Sequence, residues 1–574
     1  MAKTTEESIS RLVDWFVQNG GFVHPGIQFC QDSAGGIAAF AREDLSDLSN
    51  GGLHLLTCPL KLQLSYRQAP EVVQGLLPNN VLSNIALIKE LLLGEKSLWA
   101  PYINCLPKSE QLNTPIYFAE EMTQEAINGR RNDTAWLLGT NLDKSWRPRK
   151  EQWEEEWKNA VSVLKRQGIA TEGYTWDAYA WAATIFTSRS FISDPGLSKE
   201  SSQYAVLMPV IDLLNHRFPT KVAWFFNEGN FQFITEEPVP KGHEIFNNYG
   251  GKGNEELLNG YGFCIPNNHC DEVAIRFGQL PPPITSTLEE ILGEWNPAQS
   301  HYIRGHDHFL GLYPISLPDH PEAKTSGIPP TIWTVMEVLK KFQDSQQGQR
   351  AQWRSTLSAR CDLLEILATK YDNIDQYCDF LPESPRNLKQ QYAKIYRENQ
   401  MRILKENHGD VKKLVEKANF ISLDYAVQVL KGEQAEVDGK SWELALEIIF
   451  KTDDLASIRE QGVEREVWIL WLCAAWLSIF GNYGGKSTRI STWINDLLES
   501  HPYDETSSDS HLPVAIRQLR AHAEGIWQDA KFGAGLYNWA GKVVDAEARM
   551  LAYLDEEANN GKLLICMKED RSSF

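Results

Sequence analysis

The sequence predicts an α+β fold: a strand-rich first half interrupted by a helical segment, followed by an all-helical C-terminal domain. Three observations predict it. Short apolar runs bounded by Gly, Pro or Asn concentrate before residue 280, the pattern of strands joined by tight turns. From about residue 330 apolar residues recur three and four apart with few glycines between them, the helical period. Between these regions, Pro281, Pro282, Pro283 and six further prolines fall within residues 279–330. Proline fixes φ and lacks a backbone donor, so this stretch reads as a connector with one strand at most.

In chain order, strands are expected at 37–41, after Gly35 and Gly36, and at 53–58. Residues 76–164 read as helical, broken near Trp99-Ala100-Pro101-Tyr102 and Leu106-Pro107, so a helical insert separates two strand-rich pieces. Strands 222–226 and 231–235 face each other across Asn227-Glu228-Gly229-Asn230, a hairpin by its turn chemistry. A last strand is expected at 272–277. Asn254 suits a helix N-cap and Gly260 a helix stop. Helices then follow at 332–346, 349–371, 386–407, 442–460, 464–480, 490–498 and 514–530, without the fixed period of a solenoid. The expected domains are 1–75 and 171–280, separated by the insert 76–170, then the connector 281–330 and the helical domain 331–574.

The 574 residues carry 56 Lys+Arg against 76 Asp+Glu, a formal charge of −20. That length suggests three or four units and a large core, and a composition 42% hydrophobic with 11% aromatic excludes disorder over most of the chain. The charge argues against broad phosphate-backbone binding, so no nucleic-acid partner is expected. Glu6, Glu7, Arg11 and Asp14 interrupt the first residues, no lipid or retention signal follows Ser573, and 467–480 is too short to span a bilayer, so a protein of the cytoplasm or nucleus with no membrane partner is expected. Nine cysteines without paired spacing read as reduced packing thiols. Cys264, His269 and Cys270 offer three soft ligands where closed structural zinc takes four, and His306 and His308 lack further ligands. No metal is expected.

One segment has unusual chemistry. In Ala205-Val-Leu-Met-Pro-Val-Ile-Asp212-Leu-Leu-Asn215-His216 an apolar run ends on three closely spaced polar side chains, which emerge at the lip of a core and need partners there. A capped turn with a satisfied histidine would also produce this pattern. Downstream, Tyr249 and Tyr261 flank a short helix containing Asn254.

Five pieces in order resemble a family: Gly36-Ile37-Ala38-Ala39-Phe40-Ala41; Ser97-Leu-Trp99-Ala-Pro101-Tyr102; Trp181 with Thr187-Ser188-Arg189-Ser190-Phe191; Asp212-Leu-Leu-Asn215-His216; and the stretch from Tyr249 to Phe263. Together they resemble the SET-domain protein-lysine methyltransferases of the Rubisco large-subunit and ribosomal-protein type. The resemblance implies a SET domain with a threaded C-terminal segment, and a helical domain that helps recognise a folded protein substrate presenting a lysine. It implies S-adenosylmethionine as cofactor, contacted by backbone around Gly35, Gly36, Ile37 and Ala38. Ser188 and Arg189 would grip its carboxylate end, Asn215 and His216 would bind its amino and adenine portions, and Asp212 would orient the site. Tyr261 is the implied catalytic tyrosine, with Tyr249 beside it at the channel where cofactor and amine meet. Ala38 departs from the family, which often has glycine there. The implied function is methylation of a lysine on a non-histone protein, with ribosomal proteins among the candidate substrates. The alternatives are protein-histidine methylation and an inactive cofactor-binding adaptor.

Overall fold

The computed structural model describes residues 5–32, 36–48, 51–119, 133–193, 203–227, 229–292, 301–304, 307–315, 327–345, 352–433, 439–482, 488–503, 513–551 and 562–567. The chain divides into two compact units. One comprises 1–272 with 373–401, the other 273–372 with 402–574.

The first unit is built on small antiparallel sheets. Four strands pair in the order Phe22–Val23, Leu53–Cys58, Asn230–Thr235 and Val222–Asn227, and the last two form the expected hairpin, with Asn227 opposite Asn230. Ile27–Gln31 pairs with Ile37–Ala41, and Phe191–Ile192 with Ala205–Val206. The strands at Ile37–Ala41 and Leu53–Cys58 lie where the sequence places them. Helices Asn79–Leu93, Asn141–Arg166 and Trp176–Arg189 share one core with the sheets, in which Leu55, Leu64, Ile85, Tyr102, Ile185, Leu207 and Phe231 are fully buried. A second cluster joins Trp136, Leu137, Leu142, Trp146 and Leu258 to Ala393 and Tyr396.

That cluster corrects the expectation that everything after residue 330 forms one domain. Residues 373–401, including the first half of helix Leu388–Glu416, belong to the first unit. Arg397 donates to the carbonyl of Leu138 at 2.7 Å, and Gln390 donates to Asp133 at 2.9 Å. Helical periodicity reveals an apolar stripe but not the core that the stripe serves.

The second unit is mostly helical, with Trp442, Trp468, Trp471, Trp493 and Trp527 all fully buried. Helix Glu464–Phe480 is buried on every side from Val467 to Ser478, and no described helix is long and apolar enough to cross a membrane. Two expectations need correction here. The C-terminal part is not all helical, because Phe420–Ser422, Leu563–Cys566 and Arg549–Met550 form a sheet; runs of two to four residues are too short to show alternation. Nor is 281–330 simply a connector. It contains helix Pro282–Leu292 and strands His301–Arg304 and Asp307–Leu312, and the latter strand also pairs with Val273–Gly278. The prolines begin that helix, in the first turn where a missing N–H loses no bond.

Candidate active site

The apolar run 205–214 is buried, as its composition requires, and it turns sharply at Val210, whose φ is 72°. A β-branched residue at positive φ is strained. The turn leads into the 3-10 segment Ile211–Leu213 and points Asp212 inward, its side chain 0% exposed. The Tyr102 hydroxyl donates to Asp212 Oδ2 at 2.8 Å. Arg189, the last residue of helix Trp176–Arg189, donates from Nη1 to the Asp212 carbonyl at 3.0 Å and lies 3.4 Å from Oδ2. Burial pushes the Asp212 carboxyl up from its usual range, and the Arg189 guanidinium opposes that shift. Asp212 Oδ1 is buried without a hydrogen-bond partner.

Four residues after Asp212, the chain runs alongside 247 in a parallel bridge between His216 and Asn247. The Asn247 N–H donates to the Asn215 carbonyl at 2.8 Å, and the Arg217 N–H to the Asn247 carbonyl at 3.0 Å. This pairing brings Tyr249 onto His216, with rings 4.9 Å apart and 18° from parallel. The Tyr249 N–H donates to His216 Nδ1 at 3.1 Å, and its hydroxyl donates to the Leu214 carbonyl at 2.8 Å. Burial, reinforced by the Lys252 charge, lowers the His216 pKa to about 4. The ring is therefore neutral near pH 7 and carries its proton on Nε2, which is buried and unpartnered. Asn215 Nδ2 donates to Glu244 at 2.7 Å. Tyr249 stacks on Tyr261 at 5.3 Å, and Phe263 meets Tyr261 edge-on at 6.3 Å.

Tyr261 ends a helical stretch that starts at Asn254 and widens to a π-turn over Leu257–Tyr261. The N-cap is Gly253, not Asn254, and the helix stops at Gly262 rather than Gly260. Asn254 is fully buried and its amide is engaged elsewhere, donating to Asp271 at 2.9 Å and accepting from the Ile265 N–H at 2.9 Å. Gly262 adopts φ +80°, and a Cβ there would stand 3.1 Å from the backbone of Asn113 and Thr114. Only glycine meets both demands without strain.

Gly36, Ser188, Arg189, Asp212, Asn215, Tyr249 and Tyr261 line one cavity of about 470 Å³. Ile37, Ala38 and His216 lie outside its lining; Ala38 is fully buried in strand Ile37–Ala41, and His216 sits behind Tyr249. Gly35 falls outside the described residues. Ser188 donates its hydroxyl proton to the Thr184 carbonyl at 2.7 Å. The sequence reading gave no role to Asp32, to Asn113 and Thr114, or to Lys389 and Tyr392, all of which also line the cavity. It also missed Tyr102 and Glu244 as partners of Asp212 and Asn215. These pairs are separated by 110 and 29 residues, and no local signal links them. Among the described residues no group of three or more His, Cys, Asp or Glu side chains is placed to hold a metal ion.

No protein-family model matches the chain. A solved structure, the SET domain of LSMT bound to lysine and AdoHcy, superposes with a TM-score of 0.53 over 72% of this chain and 92% of its own, at 17% identity. The ribosomal lysine N-methyltransferase set10 of Schizosaccharomyces pombe is 31% identical over 434 residues, 71% of this chain and 73% of that protein. The chain belongs to the SET-domain protein-lysine N-methyltransferases. Within this family, ribosomal lysine N-methyltransferase 1 of Saccharomyces cerevisiae is 40% identical over 130 residues, 23% of this chain and 22% of its own length.

Proposed function

We propose that this chain is an S-adenosylmethionine-dependent protein-lysine N-methyltransferase of the cytoplasm or nucleus whose substrate is a non-histone protein, with ribosomal proteins as the favoured class. The observation that supports it most is the convergence of Gly36, Arg189, Asp212, Asn215, Tyr249 and Tyr261 on one cavity. In this reading 1–75 and 171–280 form the SET domain, split by the helical insert 76–170. The parallel bridge of His216 with Asn247 supports a threaded C-terminal segment. The part of the second unit beyond residue 330 is assigned to recognition of a folded substrate.

The residues present fit the cofactor. Gly36 packs against Asp32, its N–H donating to the carboxylate at 2.8 Å where a Cβ would stand 2.9 Å from it, so glycine lets this loop close down at the cavity. Asp212 Oδ1, on the cavity lining, is a buried polar atom without a partner, an arrangement that favours a polar ligand nearby. The Arg189 guanidinium matches a carboxylate. When bound, S-adenosylmethionine supplies an electrophilic methyl group on a positively charged sulfur.

The protein's task is to present a neutral amine in line with that methyl. A lysine ammonium has a reference pKa of about 10.4, and a narrow apolar slot lowers it by withholding water. The stacked Tyr249 and Tyr261 form such a wall. The Tyr261 hydroxyl orients the amine, while Tyr249, held by the Leu214 carbonyl, fixes the ring beside it. Incubation of the purified protein with methyl-labelled S-adenosylmethionine and salt-washed ribosomal subunits tests the reading. Labelled methyl-lysine in a ribosomal protein is expected; label recovered as methyl-histidine, or no protein labelled in ribosomes or whole lysate, would overturn it.

A further inference from the structure

Lys252 lies between the two tyrosines in sequence and was not singled out by the motif. Its side chain is only 19% exposed and its ammonium pairs with Glu256, four residues on. The same ammonium stands 5.6 Å from the centre of the Tyr261 ring, within cation–π range, so its charge lies beside the phenol. The π-turn explains how one cation serves both groups. With five residues closing each turn, shown by the Gly262 N–H donating to the Leu257 carbonyl at 2.9 Å, Glu256 and Tyr261 fall on the same face. In a regular α-helix they would diverge.

We propose that Lys252 is the positioning residue for Tyr261: clamped by Glu256, its ammonium holds the phenol ring in place at the cavity. This rests on the reading of Tyr261 as the catalytic tyrosine. An ammonium has three donors and no acceptor. One of them serves Glu256, which holds the charge beside the Tyr261 ring. Burial raises the Tyr261 pKa, the Lys252 charge lowers it, and Glu256 raises it. The remaining charged or titratable neighbours act one step away. Tyr249 stacks on the ring and itself feels Arg189, Asp212 and Glu244, and His216 feels Lys252.

The test places Tyr261→3,5-difluorotyrosine in the full chain with S-adenosylhomocysteine present, and follows the phenol titration by fluorine NMR. Adding Lys252→Met is expected to raise the midpoint by about one pH unit, a tenfold change. Lys252→Arg, which keeps the charge, should leave it near the parent value, and Lys252→Gln, which removes it, should raise it as Lys252→Met does. An unchanged midpoint in Lys252→Met or in Lys252→Gln would overturn the proposal, and the second variant keeps it testable if the first does not fold. Tyr261→Phe that retained full methyl transfer would instead remove the catalytic reading of Tyr261, with the midpoint shifts still measurable.

Discussion

Asn215 and Tyr261 line the same cavity but have separable duties. Asn215 extends from the strand-like pairing with Asn247 and is held by Glu244, so Asn215→Ala is expected to abolish the thermal stabilisation given by S-adenosylhomocysteine, which follows occupancy of the folded state. Tyr261→Phe keeps the ring stack and loses only the hydroxyl. It should retain that stabilisation and lose at least about a hundredfold in kcat, as expected when an interaction made only in the transition state is removed. Equal melting shifts for parent and Asn215→Ala would reject its placement. Both residues were legible in the sequence because each is polar within an apolar setting and belongs to a short motif. Tyr102 was legible only as part of the Trp99-Ala-Pro-Tyr102 string. Its bond to Asp212 depends on a fold that brings residues 110 positions apart together.

At the level of elements, the segment 253–272 shows how one buried side chain can hold a catalytic turn. Asn254 ties the start of the π-turned helix to Ile265 and Asp271 through its amide, and its N–H also donates to Asp271 at 2.9 Å. Asn254→Ala leaves the Asp271 carboxylate and the Ile265 N–H each short of a buried partner. The expected loss of stability is about 2–3 kcal/mol, read from the urea unfolding midpoint, whereas a surface Asn would cost a few tenths. The same segment marks the limits of sequence reading, for Asn254 has the type of a cap but the burial of a tie. Strands at Ile37–Ala41 and Leu53–Cys58 were legible because turn residues bound them. The single helix expected at 442–460 is two, Gly439–Phe450 and Leu455–Glu460. The chain reverses at Lys451, with φ 65°, and Asp454 caps the second helix through Ala456 and Ser457. Apolar spacing continues across that break, so periodicity alone could not reveal it.

Across the whole molecule the excess of 20 acidic charges is not confined to the surface. Asp271 is fully buried and Glu272 half-buried beside Glu255 and Glu256. Burial first, and then repulsion from Glu255, Asp271 and Glu256, raises the Glu272 pKa to about 8, and burial raises that of Asp271 to about 6. In the unfolded chain a glutamate titrates near 4.3. Between these values the folded protein holds a proton that the unfolded chain has released. Stability must therefore fall as the pH rises, with the contribution present below about pH 4.3 and gone above about pH 8. Because Glu272 keeps partial access to water, the realised effect is set at about 1–2 kcal/mol, below the full value of the shift. Glu272→Gln removes the titration. The variant should unfold at higher urea concentration than the parent at pH 8.5, with the difference shrinking towards pH 5 as the parent carboxyl becomes protonated. A difference that stayed constant across this range would mean that Glu272 does not titrate there. A variant that unfolded at lower urea concentration than the parent at pH 8.5, the gap closing on acidification, would mean that the folded-state pKa of Glu272 is depressed.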